Sequence, residues 1–253
     1  MQNLNQKTIL RPIDFEGIGL HSGNTSRVKI LPANDNDGII FKRIDLRENN
    51  VIKANFKNVS SAKLCTTLSN DFGTTVSTVE HLMAAFYITG IDNAIVEIDN
   101  SELPIMDGSS KDFVNLIITA GTKILFSKRK FLKIVKKVEL KEENKYISIE
   151  PGINGLDVDF QLKYKNETIG NQKNHVIFNN ENLEEIYSSR TFCLFEDIEK
   201  IKKIGLAKGG SLENAVVVKN DSVLNKDGLR NKKEFVNHKI LDLVGDFMLS
   251  GYR

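Results

Sequence analysis

"STVEHLMAAFYITGIDNAIVEIDN", residues 77–100, holds both kinds of element that build this chain. Its first part is bounded by Ser77 and Gly90, a start residue and a stop residue around a run of helix formers. Its second part, "NAIVEIDN", is short, rich in β-branched residues and closed by polar ones, as a buried strand is. Outward toward the amino terminus, "GIIFKRIDL" and "SRVKILPAND" predict strands around a polar Asn-Asp turn, and "TILRPIDFEGIGLHSG" a strand running into Gly17 and Gly19. Outward in the other direction, "PIMDGSSKDFVNLIITAG" predicts a turn and a second helix that stops at Gly121. Strand-like sequence then restarts in "KFLKIVKKVEL", "KYISIEPG" and "LDVDFQLKY". Helices are expected in "NENLEEIYSSR" and "CLFEDIEKIKKIG", and a last one over residues 232–250, stopped by Gly251. Each half runs from strands to a helix that carries a histidine. The pattern predicts an α+β fold of two similar two-layer α/β domains, a duplicated unit, over residues 1–127 and 128–253.

A chain of 253 residues is long enough for one large domain or two ordinary ones. Its formal net charge of +2 gives no electrostatic reason to expect nucleic acid or an anionic membrane as partner. Cys65 and Cys193 stand alone in their segments, which makes neither a disulfide framework nor a metal knuckle and favours a reducing compartment. The start, "MQNLNQKTIL", lacks the basic and apolar regions of a signal peptide. Apolar runs such as "LIITAG" are too short to span a bilayer. The expectation is a cytoplasmic protein with no membrane span.

The histidines are His21, His81, His175 and His238. His175, among polar neighbours in "NQKNHVIF", reads as a surface residue. His21 lies in the glycine-rich "GIGLHSG", where a turn histidine is either solvated or set close to a ligand by the permissive glycine backbone. His81 and Glu80 admit two readings. In one, Ser77 and Glu80 form a capping box and His81 is an ordinary first-turn residue. In the other, the positive end of the helix keeps the imidazole neutral and the carboxylate ionised, as a ligand and a base require. His238 and Asp242 share one helix face at a four-residue spacing, which suits a buried hydrogen bond or a shared ion. One histidine from the first helix with this pair would make three ligands with a fourth position open, the arrangement of a catalytic zinc. No HExxH is present, which excludes the ordinary zinc-protease helix.

Together, "STVEHLMAAFYITGIDNAIVEI", "PIMDGSSKDFV", "SSRTF", "GLAKGGSLENAVVV", "LNKDGLRNKKEFVNHKILDLVGD" and "GIGLHSG" resemble the UDP-3-O-acyl-N-acetylglucosamine deacetylases. The resemblance implies a zinc-dependent enzyme of the committed step of lipid A biosynthesis in Gram-negative bacteria, with its active site between two α+β domains. By the same resemblance His81, His238 and Asp242 are the zinc ligands and Glu80 is the general base. Thr191 holds the developing oxyanion, and Lys239 faces the substrate diphosphate and the departing amine. Phe160 lies near the uridine, and His21 and Phe192 touch substrate. Ile198, Gly210, Ser211 and Val217 line the acyl-chain passage, with Gly209 and Gly210 giving the backbone room to approach the chain. The implied partner is a small molecule, a UDP-linked acylated amino sugar, and the implied state a monomer.

One element of the family pattern has no counterpart. The family carries a further histidine after the metal helix, a general acid paired with an aspartate at the position of Asp246. Here no histidine follows His238, and the sequence ends "LSGYR". The expectation is a second domain lacking its carboxy-terminal part, with Asp246 as a catalytic residue deprived of its partner or left solvated. The alternative is a truncated, non-catalytic zinc-binding paralogue or fragment.

Overall fold

The computed structural model describes residues 4–153, 155–178 and 182–253. Its first half runs β1 (Asn5–Ile9), β2 (Ile13–Ile18), β3 (Thr25–Pro32), β4 (Ile39–Arg43), β5 (Val51–Lys53), β6 (Val59–Ser61), β7 (Thr67–Ser69), β8 (Thr75–Ser77), α1 (Glu80–Thr89), β9 (Ala94–Ile98), α2 (Lys111–Ala120) and β10 (Thr122–Lys128). The second continues with β11 (Val138–Glu142), β12 (Lys145–Ile149), β13 (Asp157–Lys163), β14 (Asn171–Ile177), α3 (Glu184–Tyr187), β15 (Phe192–Leu194), α4 (Phe195–Lys203), β16 (Val216–Lys219), β17 (Ser222–Val223) and α5 (Glu234–Met248). The fold is α+β.

The main sheet has the order β2-β3-β9-β4-β5, with β9 antiparallel to β3 and parallel to β4. Alternation sets its inner face. Val28 and Ile30 of β3 are buried while Arg27 and Lys29 are exposed, because successive side chains leave a strand on opposite sides. That face meets Leu82, Met83 and Phe86 of α1 and Phe113 and Ile117 of α2 in one cluster that also takes in Met248 and Leu249 from the end of α5. In the second half, Phe235 and Val236 of α5 pack with Leu162 of β13, while Ile240 and Leu241 pack with Val158 and with Ala84 of α1. α5 therefore has the first half on one side and the β13–β14 pair on the other. α1 is buried from Glu80 through Phe86, the pattern of a helix enclosed all round rather than a surface one.

Several boundaries differ from the sequence reading. "TILRPIDFEGIG" forms two strands, because Pro12 has no N–H for a ladder and the chain turns between Ile9 and Ile13. Strand structure in "KFLKIVKKVEL" begins only at Val138, and β11 and β12 form a two-stranded hairpin with Leu140 and Ile147 exposed. The helix expected in "NENLEEIYSSR" is the single turn Glu184–Tyr187; residues 180 and 181 lie outside the described residues. The last helix is Glu234–Met248, two residues shorter at each end than expected. No described helix is long and apolar enough to cross a membrane.

Candidate metal centre

α1 and α5 meet at their functional ends. A Cβ on Gly245 would lie 2.0 Å from the carbonyl oxygen of Glu80, so only glycine lets α5 run this close to the first turn of α1. The crossing brings His81 onto His238 and Asp242. One donor atom from each lies within 4.8 Å of the others. The two imidazoles stand edge to face, centroids 5.0 Å apart. Their Nε2 atoms are 3.5 and 3.4 Å from the same oxygen, Asp242 Oδ1, too far for good hydrogen bonds.

The donor set fits a divalent metal. His238 Nδ1 lies 3.0 Å from the Ser189 carbonyl, which can only accept, so Nδ1 carries the proton and Nε2 keeps its lone pair, the ligating form. Burial lowers the His238 pKa to about 3, overcoming the pull of Asp242, so the ring is neutral. Although burial opposes its ionisation, Asp242 is held well below the usual carboxylate range by the Lys239 ammonium that bonds it, and so carries its charge. Asp242 Oδ1 is buried with no hydrogen-bond partner, a costly state that coordination would relieve.

Glu80 lies beside the cluster with its carboxyl pushed up to about 7, chiefly by burial, with His81 working against the shift and Asp242 adding to it. It does not cap its helix. Val79 is the N-cap residue without a side-chain bond, Ser77 bonds the Ser101 carbonyl, and Glu80 Oε2 accepts the Thr66 N–H at 3.0 Å. The capping-box reading is thereby corrected. Thr78, at φ +57, turns the chain between β8 and α1, which takes Ser77 away from the helix end.

A small cleft is lined by Glu80 and the three donors together with His21, Thr78, Thr191 and Lys239. A roomier hollow of about 350 Å³, bordered by Asp159, Lys173, Asn174, His175 and Lys233, is an open surface feature and lacks such a cluster. His175 there is exposed and paired with Asp157. His21 is buried, unlike a solvated turn residue. Its Nδ1 accepts the Ala207 N–H at 3.3 Å, so the neutral ring carries its proton on Nε2, which is buried and unpartnered. Lys239 Nζ bonds Asp242 Oδ2 at 2.8 Å and sits 5.5 Å over the Phe192 ring, which places Phe192 at the rim of the centre.

The remaining predicted residues stand elsewhere. Phe160 packs between the two clusters of the second half, and Ile198, Gly210, Ser211 and Val217 are not among the residues that line the cleft. A Cβ on Gly209 would come within 2.3 Å of the Gly19 carbonyl oxygen, so its missing side chain accommodates the chain's own turn. Asp246 is exposed but not without a partner. Its Oδ1 accepts the Thr66 hydroxyl at 2.7 Å.

Three supporting groups had no sequence signal. Glu102, fully buried, accepts the N–H groups of His21 and Ser22 and the Thr78 hydroxyl, joining the His21 turn to the approach of α1. Arg190 and Glu234 form a buried ion pair at 2.8 Å that ties the segment bearing Ser189 and Thr191 to the start of α5. Thr66 joins Glu80 to Asp246.

Comparison with known proteins gives the family. Residues 6–253 match the family described as LpxC, UDP-3-O-acyl N-acetylglycosamine deacetylase. The chain belongs to this family. It is 42% identical over 250 residues to the UDP-3-O-acyl-N-acetylglucosamine deacetylase of Shewanella frigidimarina (strain NCIMB 400), covering 98% of this chain and 81% of that protein. It is also 42% identical over 249 residues to the deacetylase of the same name from Nautilia profundicola, with 98% and 84% covered.

Proposed function

We propose that this chain hydrolyses the acetamide of UDP-3-O-acyl-N-acetylglucosamine to the free amine and acetate, the committed step of lipid A biosynthesis, with zinc as its metal. The observation that carries the reading is the convergence of His81, His238 and Asp242 beside Glu80 in a chain of the deacetylase family. Two imidazoles and one carboxylate are a common zinc set, and three protein ligands leave a position for water. Zinc held there supplies Lewis-acid chemistry, making water acidic enough to ionise near neutral pH and polarising an amide carbonyl.

The chain's own groups do the rest. Glu80 takes the proton from the attacking water. The Thr191 hydroxyl, in the same cleft, donates to the carbonyl oxygen as negative charge builds there. Lys239 is the cation at the cleft, placed for the substrate diphosphate and the departing amine, while His21 presents its Nε2–H to the substrate. Phe160 and Phe192 supply aromatic surface for the nucleoside end, and Ile198, Gly210, Ser211 and Val217 belong to the acyl-chain passage. His81 comes from a first domain, residues 1–127, and His238 and Asp242 from a second, residues 128–253. A nucleotide-linked substrate and two free cysteines support a cytoplasmic enzyme, which we take to act as a monomer.

The test is metal content and turnover together. Wild type is expected to hold one zinc per chain by elemental analysis and to release acetate from the UDP-linked substrate, whereas His238→Ala holds little zinc. Equal zinc in both proteins refutes the ligand set. Zinc in wild type without acetate release refutes the hydrolase reading and leaves a metal-binding relative.

A further inference from the structure

We propose that Thr66 is a positioning residue for Glu80, and that Asp246 acts by holding Thr66 in place; this rests on Glu80 being the base. Thr66 directly precedes β7 and is 6% exposed. All its polar groups are used. The N–H donates to Glu80 Oε2 at 3.0 Å, the hydroxyl donates to Asp246 Oδ1 at 2.7 Å, and the carbonyl accepts the N–H of Val79, the N-cap of α1. One residue thus touches the base, the start of the helix that carries the base, and the helix that carries two of the metal-ligand candidates.

The geometry gives each contact a separate task. A carboxylate serves as a base only if its lone pairs face the proton to be taken, and a carboxyl on a flexible side chain needs something to fix its rotation. Glu80 is the first residue of α1, where few neighbours within the helix can fix its side chain. The Thr66 N–H does, by occupying Oε2. That N–H is aimed by a short segment between β6 and β7 rather than by a long ladder, and Asp246 anchors the segment through the side-chain hydroxyl. Asp246 follows Gly245, whose backbone lies against the Glu80 carbonyl, so the anchor and the base keep a fixed distance. Asp246 thereby has a partner within this chain, and that partner needs an acceptor oxygen, not a negative charge.

The inference separates the substitutions at both positions. In the zinc-loaded protein, Thr66→Val is expected to lower kcat about ten- to a hundredfold with KM within about twofold, the range for slight misplacement of a catalytic group. Zinc content and melting temperature stay near wild type, and Thr66→Ser, which restores the hydroxyl, recovers kcat. Hydrogen exchange at the amide of residue 66, followed by NMR, gives a reading independent of turnover. That amide exchanges at least about tenfold faster in Thr66→Val and Asp246→Ala, and as in wild type in Thr66→Ser and in Asp246→Asn, which keeps an acceptor oxygen. Wild-type kcat and wild-type amide protection in Thr66→Val overturn the proposal. So does equal loss of protection in Asp246→Asn and Asp246→Ala, which would show that charge is what Asp246 contributes. Should Thr66→Val not fold, the Asp246 pair decides by exchange alone. A wild type that binds zinc without turning over, yet shows these exchange differences, refutes the hydrolase reading and leaves the positioning contact standing.

Discussion

Glu80 has its carboxyl raised to about 7, mainly by burial beside Asp242, and this fixes how activity should respond to pH. The base works only when ionised. As pH falls through the carboxyl's pKa it takes up a proton, and kcat/KM should drop about tenfold per pH unit. A divalent cation nearby favours the ionised form, so in the zinc-loaded protein this acid limb lies at or below pH 7. Glu80→Gln keeps the shape and an oxygen for the Thr66 N–H but cannot take the proton. We expect normal zinc content, a rate lower by about 10²–10⁴, and loss of the limb in a profile from pH 5 to 9. An unchanged limb in the variant would assign that titration to another group. The sequence showed the Glu-His pair but left Glu80 divided between helix cap and base. Only the position of Thr66, fourteen residues earlier, tells them apart.

Helix α5 depends on one absent side chain. In an exposed helix interior, Gly→Ala stabilises by roughly 1 kcal/mol, because glycine loses more backbone freedom on folding. Gly245→Ala should have the opposite sign. The added Cβ would meet the Glu80 carbonyl oxygen at 2.0 Å, and neither helix backbone can yield without moving the centre. Overpacking of this kind costs typically about 1–3 kcal/mol. A lower melting temperature together with weaker zinc binding is the expected result; a variant as stable as wild type, with full zinc, would show that the helices have room to part. The other end of α5 is anchored by Arg190 and Glu234, buried together. Removing one partner of such a pair commonly costs about 3–5 kcal/mol, since the other charge is left unpaired in the interior. Glu234→Ala should therefore unfold at markedly lower denaturant, while an exposed pair such as Arg27 and Glu16 should matter little. Element types and approximate bounds could be read from periodicity. The glycine contact and the ion pair could not, because each depends on what the opposing element places there.

Across the whole molecule, the centre joins α1 in the first half to α5 in the second, so metal binding and folding are linked. A ligand that binds only the folded chain stabilises it in proportion to RT ln(1 + [L]/Kd), about 2.7 kcal/mol when its concentration is a hundredfold above Kd. Adding zinc to metal-free protein should raise the melting temperature by several degrees, and His238→Ala should abolish the rise. An equal rise in the variant would mean that zinc stabilises the chain from another place. The sequence by itself determined the α+β class, the alternation that faces Val28 and Ile30 inward, the helix that sets His238 and Asp242 on one side, and the motifs that mark the family. These are local properties, set by backbone periodicity and by residues a few positions apart. Tertiary structure alone decided that His21 is buried, that Glu102 fastens its turn, and that Thr66 meets Asp246 across 180 positions. A buried polar group must find its partner wherever the packed chain presents one, and no short-range pattern records where that will be.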